Sequence, residues 1–70
     1  MSELDDLLLA AHTAADNPAL VSLYEQAADM ARGQDAESFY LTHAYVFALE
    51  TGHPHAPALH QRLKALGCEE

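Results

Sequence analysis

Short clusters of glycine, proline and asparagine interrupt the chain at intervals and limit what it can fold into. They fall at Asn17-Pro18, Gly33, Gly52 and Gly67, and the stretches between them carry apolar residues at helical spacing. No stretch alternates between apolar and polar residues for long enough to form a strand. The sequence therefore predicts an all-α fold of four short antiparallel helices, arranged as two helical hairpins in a single domain, 1–70.

The first two predicted helices have recognisable start signals. Ser2 followed by Asp5 is typical of a capping box, and Asn17 is predicted to cap the second helix, with Pro18 in its first helical position. Arg32 is expected in the last turn of that helix, just before Gly33. The predicted apolar faces consist of Leu4, Leu7, Leu8, Ala11 and Ala15 in the first helix, and of Leu20, Leu23, Tyr24, Ala27, Ala28 and Ala31 in the second.

The third predicted helix, from Gln34 to Thr51, is apolar on nearly all sides from Phe39 onward. Such a helix is usually central and covered on several sides. The fourth is expected to begin near His53, which is predicted as its cap, and to end before Gly67. Its apolar face consists of Ala56, Leu59, Leu63 and Leu66, and its two cations, Arg62 and Lys64, are expected in its last turns.

The charge composition excludes several classes of function. Eleven Asp and Glu residues against three Lys and Arg give a formal net charge of -8. Because so few cations are available to neutralise phosphates, we expect binding neither to nucleic acid nor to anionic membranes.

The longest apolar run, Ala44–Leu49, is too short to span a bilayer, and the acidic N-terminus lacks the positive region of a signal peptide. Cys68 is the single cysteine, which favours a reducing, cytoplasmic location.

The junction between the third and fourth predicted helices resembles that of a Sel1-like helical repeat. In such repeats an aromatic, alanine-rich helix is followed by Gly-His and a proline, and then by an alanine that begins the next helix. Phe47–Leu63 is similar to this pattern, and Gly33 and Gly67 are separated by one tetratricopeptide period of ~34 residues. The resemblance implies a scaffold that binds a peptide or protein, and it implies no catalytic residues.

These patterns together predict a non-catalytic protein–protein interaction module that requires no cofactor. The predicted docking surface is an alanine-lined groove between the second and third helices, rimmed by Asp and Glu. It would receive a helix or a basic peptide, or a second copy of the chain in a homodimer. The residues expected to line it are Tyr24, Ala27, Tyr40, His43 and Phe47.

Histidine chemistry supports an alternative hypothesis, a small histidine-tuned or metal-binding regulatory protein. His53, His55 and His60, with Cys68 further along, have the donor atoms that bind Zn²⁺ or Ni²⁺, although their spacing matches no defined zinc signature. The simpler interpretation is that His55 and His60 are solvated.

His43 beside a tyrosine hydroxyl has the chemistry of a general base, but an ordinary half-buried histidine also explains it. A further alternative, an acidic mimic of nucleic acid, requires its carboxylates on one face, whereas here they are scattered along the chain.

Overall fold

The computed structural model describes residues 3–67, which form four α-helices. These are α1 (Glu3–Thr13), α2 (Asn17–Met30), α3 (Gln34–Thr51) and α4 (Ala56–Ala65). No strand occurs within this range. The predicted all-α fold with four helices is confirmed.

The helices pack in chain order. α2 and α3 share the most extensive contact, while α1 packs on α2 and α4 packs on α3. The backbones of α1 and α4 do not approach each other. The result is a thin molecule whose Cα atoms extend over 33 × 28 × 12 Å. Because the molecule is so thin, every helix keeps one face toward solvent.

Small side chains allow α2 and α3 to pack closely. Ala28, Ala44 and Ala48 are all buried, and Leu41 is completely excluded from solvent beside them. Tyr24 is the one large polar side chain among the buried residues. The remaining members of the core are contributed by α1, α2 and α4 and are Ala11, Leu20, Val21, Leu59 and Leu63.

The start of α2 differs from the sequence prediction. Asp16 occupies the N-cap position, and its carboxylate accepts a hydrogen bond of 3.3 Å from the backbone N–H of Ala19. Asn17 is already the first helical residue, so Pro18 stands in the second position. Asn17 was therefore the wrong choice of cap, because a carboxylate one residue earlier reaches the unpaired N–H groups of the first turn.

Two further boundaries also differ from those predicted. α1 ends at Thr13, and Ala15 has a positive φ of 53° in the turn that follows, so it is exposed and not part of the apolar face. α2 ends at Met30, which leaves Arg32 beyond the helix instead of in its last turn. The turn that contains Gly33, with φ of 107°, therefore begins earlier than predicted from the position of Arg32.

The start of α4 depends on local bonds that differ from the predicted cap. His55 stands at the N-cap position, and its side chain makes no capping bond. The Nδ1 atom of His53 instead accepts a hydrogen bond of 3.1 Å from the backbone N–H of His55. His53 therefore supports the turn before the helix without capping the helix itself.

Polar side-chain contacts at both ends attach α4 to the rest of the molecule. Arg62 donates to Asp29 of α2 at 2.9 Å and to Glu37 of α3 at 3.3 Å. At the other end, the ring of His55 lies 2.7 Å from the carboxylate of Glu25. Arg62 thus connects three helices, a role that its predicted place in a last turn did not reveal.

Candidate functional site

The most unusual surface of the molecule is an apolar seam along the outer side of α3. The seam consists of Phe39, Thr42, Val46 and Leu49, whose spacing of three, four and three residues places them on one face of the helix. Phe39 is 55% exposed, Val46 47% and Leu49 57%. Large apolar side chains this exposed, and aligned over three turns, form a surface suited to covering by another helix.

The seam lies opposite the buried side of α3. Leu41, Ala44 and Ala48 pack into the core with no exposed surface at all. The expectation that α3 is covered on several sides is therefore only partly met, since the seam side remains open. The physical reason is that α1 packs on α2 and not across α3, so no element of residues 3–67 covers that side.

A shallow depression of about 200 Å³ lies beside the centre of the seam. It is lined by Thr42, His43, Val46 and Phe47, which come from two adjacent turns of α3. Its lining is mostly apolar and it is open to solvent. A depression of this size and shape can receive one projecting side chain of a partner, as a hole receives a knob in helix packing.

Aromatic rings support the seam from behind. The His43 ring lies between Phe39 and Tyr24, with centroid distances of 4.4 Å and 5.2 Å. Tyr24 also stacks on Phe47 at 5.9 Å with an interplanar angle of 13°. These rings extend the α2–α3 core outward to the seam, so the floor of the depression is held by ring packing.

The hydroxyl of Tyr24 is held by α1. It lies 2.9 Å from Nε2 of His12, whose ring also contacts Phe47 edge-on. Burial raises the pKa of Tyr24 above its ordinary value, and the nearby Tyr40 raises it further. Tyr24 is consequently neutral at physiological pH, and its hydroxyl serves to connect α1 with α2.

His43 is bonded to its own helix and not to the tyrosine hydroxyl expected beside it. Its Nδ1 lies 2.8 Å from the backbone carbonyl of Phe39, so that nitrogen carries the hydrogen and donates it. The Tyr24 hydroxyl is bonded to His12 and not to His43. His43 therefore acts as a half-buried ring in the wall of the depression.

The predicted docking residues separate into two groups. Tyr24 and Ala27 are buried, whereas Tyr40, His43 and Phe47 are half-buried. The alanines expected to line a groove, Ala27, Ala28, Ala44 and Ala48, are instead buried. Of the five, only His43 and Phe47 line the depression.

Sequence reasoning missed the seam residues Phe39, Val46 and Leu49 and the contribution of His12. The spacing of the seam residues was visible in the sequence. However, α3 also carries apolar residues on its other sides, so the sequence alone could not indicate which side remained uncovered. His12 is far from Tyr24 in the chain and had no local signal.

The Asp and Glu side chains of α3 are not accompanied by any Lys or Arg within the helix, although the exposed Arg32 lies just before its start. α3 contains Asp35, Glu37 and Glu50 and no Lys or Arg. Glu37 pairs with Arg62 on the inner side. Asp35 and Glu50 are exposed, and neither carboxylate has a partner within residues 3–67.

The histidines proposed as metal ligands lie in other contacts. His60 is half-buried and stacks on Tyr45, at 5.5 Å and an interplanar angle of 12°, which corrects the expectation that it is solvated. His55 is exposed as expected, although it pairs with Glu25, and its ring lies 4.6 Å from that of His53. Across residues 3–67 no group of three or more His, Cys, Asp or Glu side chains is placed to hold a metal ion. Cys68 lies outside the described residues.

No helix in the described part of the chain has both the length and the apolar character needed to cross a membrane. No family model matches the chain, and it has no match among curated proteins or solved structures.

Proposed function

We propose that this chain is a non-catalytic protein-interaction module that docks a helix of a partner along the outer side of α3. The observation that carries the proposal is the seam itself, which exposes three large apolar side chains in register on a helix whose opposite side forms the core. The proposed docking surface is therefore the seam, and not the groove between α2 and α3 that the sequence predicted. The proposed partner is still a helix.

The surroundings of the seam support docking over catalysis. The depression is lined mainly by apolar atoms, and two polar groups beside it already make intramolecular hydrogen bonds. His43 donates to the Phe39 carbonyl, and the hydroxyl of Thr42 donates to the Ser38 carbonyl at 2.7 Å. With these bonds satisfied, contact along the seam comes from apolar packing, the usual basis of helix-in-groove recognition.

The arrangement of the helices also supports a helical-repeat architecture of the Sel1-like or tetratricopeptide-like kind. In such proteins each helix contacts mainly its neighbours in the chain, and the terminal helices stay apart. The packing order α1–α2–α3–α4 has this character. We propose that α2 to α4 form the repeat-like part, in which the Phe47–Leu63 junction places α4 against α3.

The proposal is tested by selecting helical peptides from a displayed library on the wild-type chain. Selected peptides should lose binding to the Val46→Glu variant, because a charge at the centre of the seam must be desolvated by any helix that covers it. Their binding to a Gln61→Glu variant should be unchanged, because Gln61 is exposed on α4, a helix that contributes no residue to the seam.

Circular dichroism shows whether both variants keep the wild-type helix content. Selected peptides that bind the Val46→Glu variant as tightly as the wild type would place recognition elsewhere and contradict the proposal.

A further inference from the structure

We infer that the occupant of the seam is a cationic amphipathic helix, with Lys or Arg flanking its apolar face and its main ionic contact at the Glu50 end of α3. This inference rests on the docking function proposed above and specifies the chemistry of the partner. It follows from the distribution of charge along α3.

Two exposed carboxylates mark the ends of the seam. Asp35 lies four residues, one helical turn, before Phe39, and Glu50 directly follows Leu49 and lies four residues after Val46, so both stand close to the line of the seam at its ends. At a rise of 1.5 Å per residue they are about 22 Å apart. A helix of roughly 15 residues or more, with a cation near each end, is therefore long enough to contact both carboxylates.

The two ends are not equivalent. The N-terminal end of α3 carries the positive end of the helix dipole, which partly offsets the charge of Asp35. The C-terminal end carries the negative end of the dipole, and the last turn of α3 contains no basic residue. The negative potential is consequently greater at Glu50, which makes that end the stronger attachment point for a cation.

The α3 helix of a second copy does not supply this charge, because Arg32 and Lys64 lie outside it. Pairing two α3 helices along their seams, in either direction, brings carboxylates together, because α3 has no Lys or Arg. The chain has only three cations, and one of them, Arg62, is already paired with Asp29 and Glu37. Two copies would also combine formal charges of -8 each. Charge complementarity therefore favours a basic partner over self-association.

The test uses two synthetic peptides of about 18 residues with the same leucine face, one flanked by lysines and one by glutamates. Binding to the full chain is measured by isothermal titration calorimetry at low and moderate salt. The lysine peptide should bind, more weakly as salt rises, and the glutamate peptide should not. Glu50→Gln should lower the affinity for the lysine peptide roughly two- to fivefold, and Asp35→Asn should lower it less.

The outcomes separate this inference from the docking proposal. If both peptides bind equally and both are lost in Val46→Glu, helix docking stands and the cationic partner is wrong. If neither peptide binds, while sedimentation shows a wild-type dimer that Val46→Glu dissociates, the occupant is a second copy and the inference fails. If neither binds and the chain is monomeric, both proposals fail. An equal loss in Asp35→Asn and Glu50→Gln would overturn the assignment of the main contact to the Glu50 end.

Discussion

Tyr24 is the residue through which α1, α2 and α3 contact one another most directly. Its ring stacks on Phe47 and lies against His43, and its hydroxyl bonds to His12. Tyr24 is thus better described as a core residue that supports the seam than as part of a contact surface. The sequence indicated both roles for this residue, because a tyrosine has an apolar ring and a hydroxyl that needs a partner.

The raised pKa of Tyr24 makes a prediction about stability at alkaline pH. Because the folded-state pKa lies above the unfolded value, the folded protein holds this proton more tightly. The stability that results is fully present below about pH 10 and is lost as the pH rises through the folded-state pKa. The Tyr24→Phe variant should therefore show a smaller loss of stability in this range.

Urea unfolding at a series of pH values above and below about 10 measures this effect. Tyr45→Phe serves as the matched control, because Tyr45 is half-buried and stacks on His60 outside the Tyr24 cluster. An alkaline loss in Tyr24→Phe as steep as that in the wild type would contradict the assignment.

At the scale of elements, the turns decide where the helices end. The sequence predicted four helices in the right places, because glycine and proline act locally and apolar spacing is read directly. It misplaced the cap of α2, the end of α1 and the position of Arg32. Several neighbouring polar or small residues could each form the first or last residue of a helix. Which of them does so depends on the backbone conformation of the turn, which the composition does not reveal.

Two glycines predict different costs of substitution. Gly52 closes α3 with φ of 65° and ψ of 33°, a left-handed conformation that alanine adopts at a cost of about 1 kcal/mol. Gly33 has φ of 107° and ψ of 153°, a region that is almost restricted to glycine, so alanine there should cost about 1–3 kcal/mol. A new Cβ would meet open space at both positions.

Because steric clash is absent at both sites, the difference reports backbone conformation alone. Thermal and urea unfolding of Gly33→Ala and Gly52→Ala should rank Gly33→Ala as the less stable variant. The reverse ranking would contradict the turn described for residues 31–33.

The seam shows why the proposed docking surface was harder to predict than the helices. An apolar pattern on all sides of a helix predicts that other parts of the protein cover it. Which sides are covered depends on where the other helices pack. Here α1 is held on α2 by Ala11 and by the bond from His12 to Tyr24, so it does not cover Phe39 or Val46. Contacts between helices distant in the chain decide this, and a local pattern does not contain them.

For the whole molecule, one side of α3 supports folding and the opposite side is the proposed docking surface. Leu41→Ala on the core side should destabilise the protein by about 2–5 kcal/mol, through lost burial and a residual cavity. Val46→Glu on the seam should change the free energy of unfolding by no more than about 0.5 kcal/mol, because Val46 is half exposed and has no ionic partner to lose.

Urea denaturation followed by circular dichroism compares these two variants with the wild type. If Leu41→Ala unfolds the chain outright, Leu41→Val gives the same comparison at a smaller cost. A large destabilisation by Val46→Glu would show that the seam belongs to the core of the folded chain.

The seam is tested most directly by mapping where a helix binds. Nuclear magnetic resonance of the ¹⁵N-labelled chain, titrated with the lysine-flanked peptide, follows every backbone amide at once. The largest changes in amide chemical shift should lie on the outer side of α3 and continue to Glu50. The residues expected to show them are Phe39, Thr42, His43, Val46 and Leu49. Changes confined to α1 or α4, or no change while the peptide binds, would contradict the assignment of the docking surface to α3.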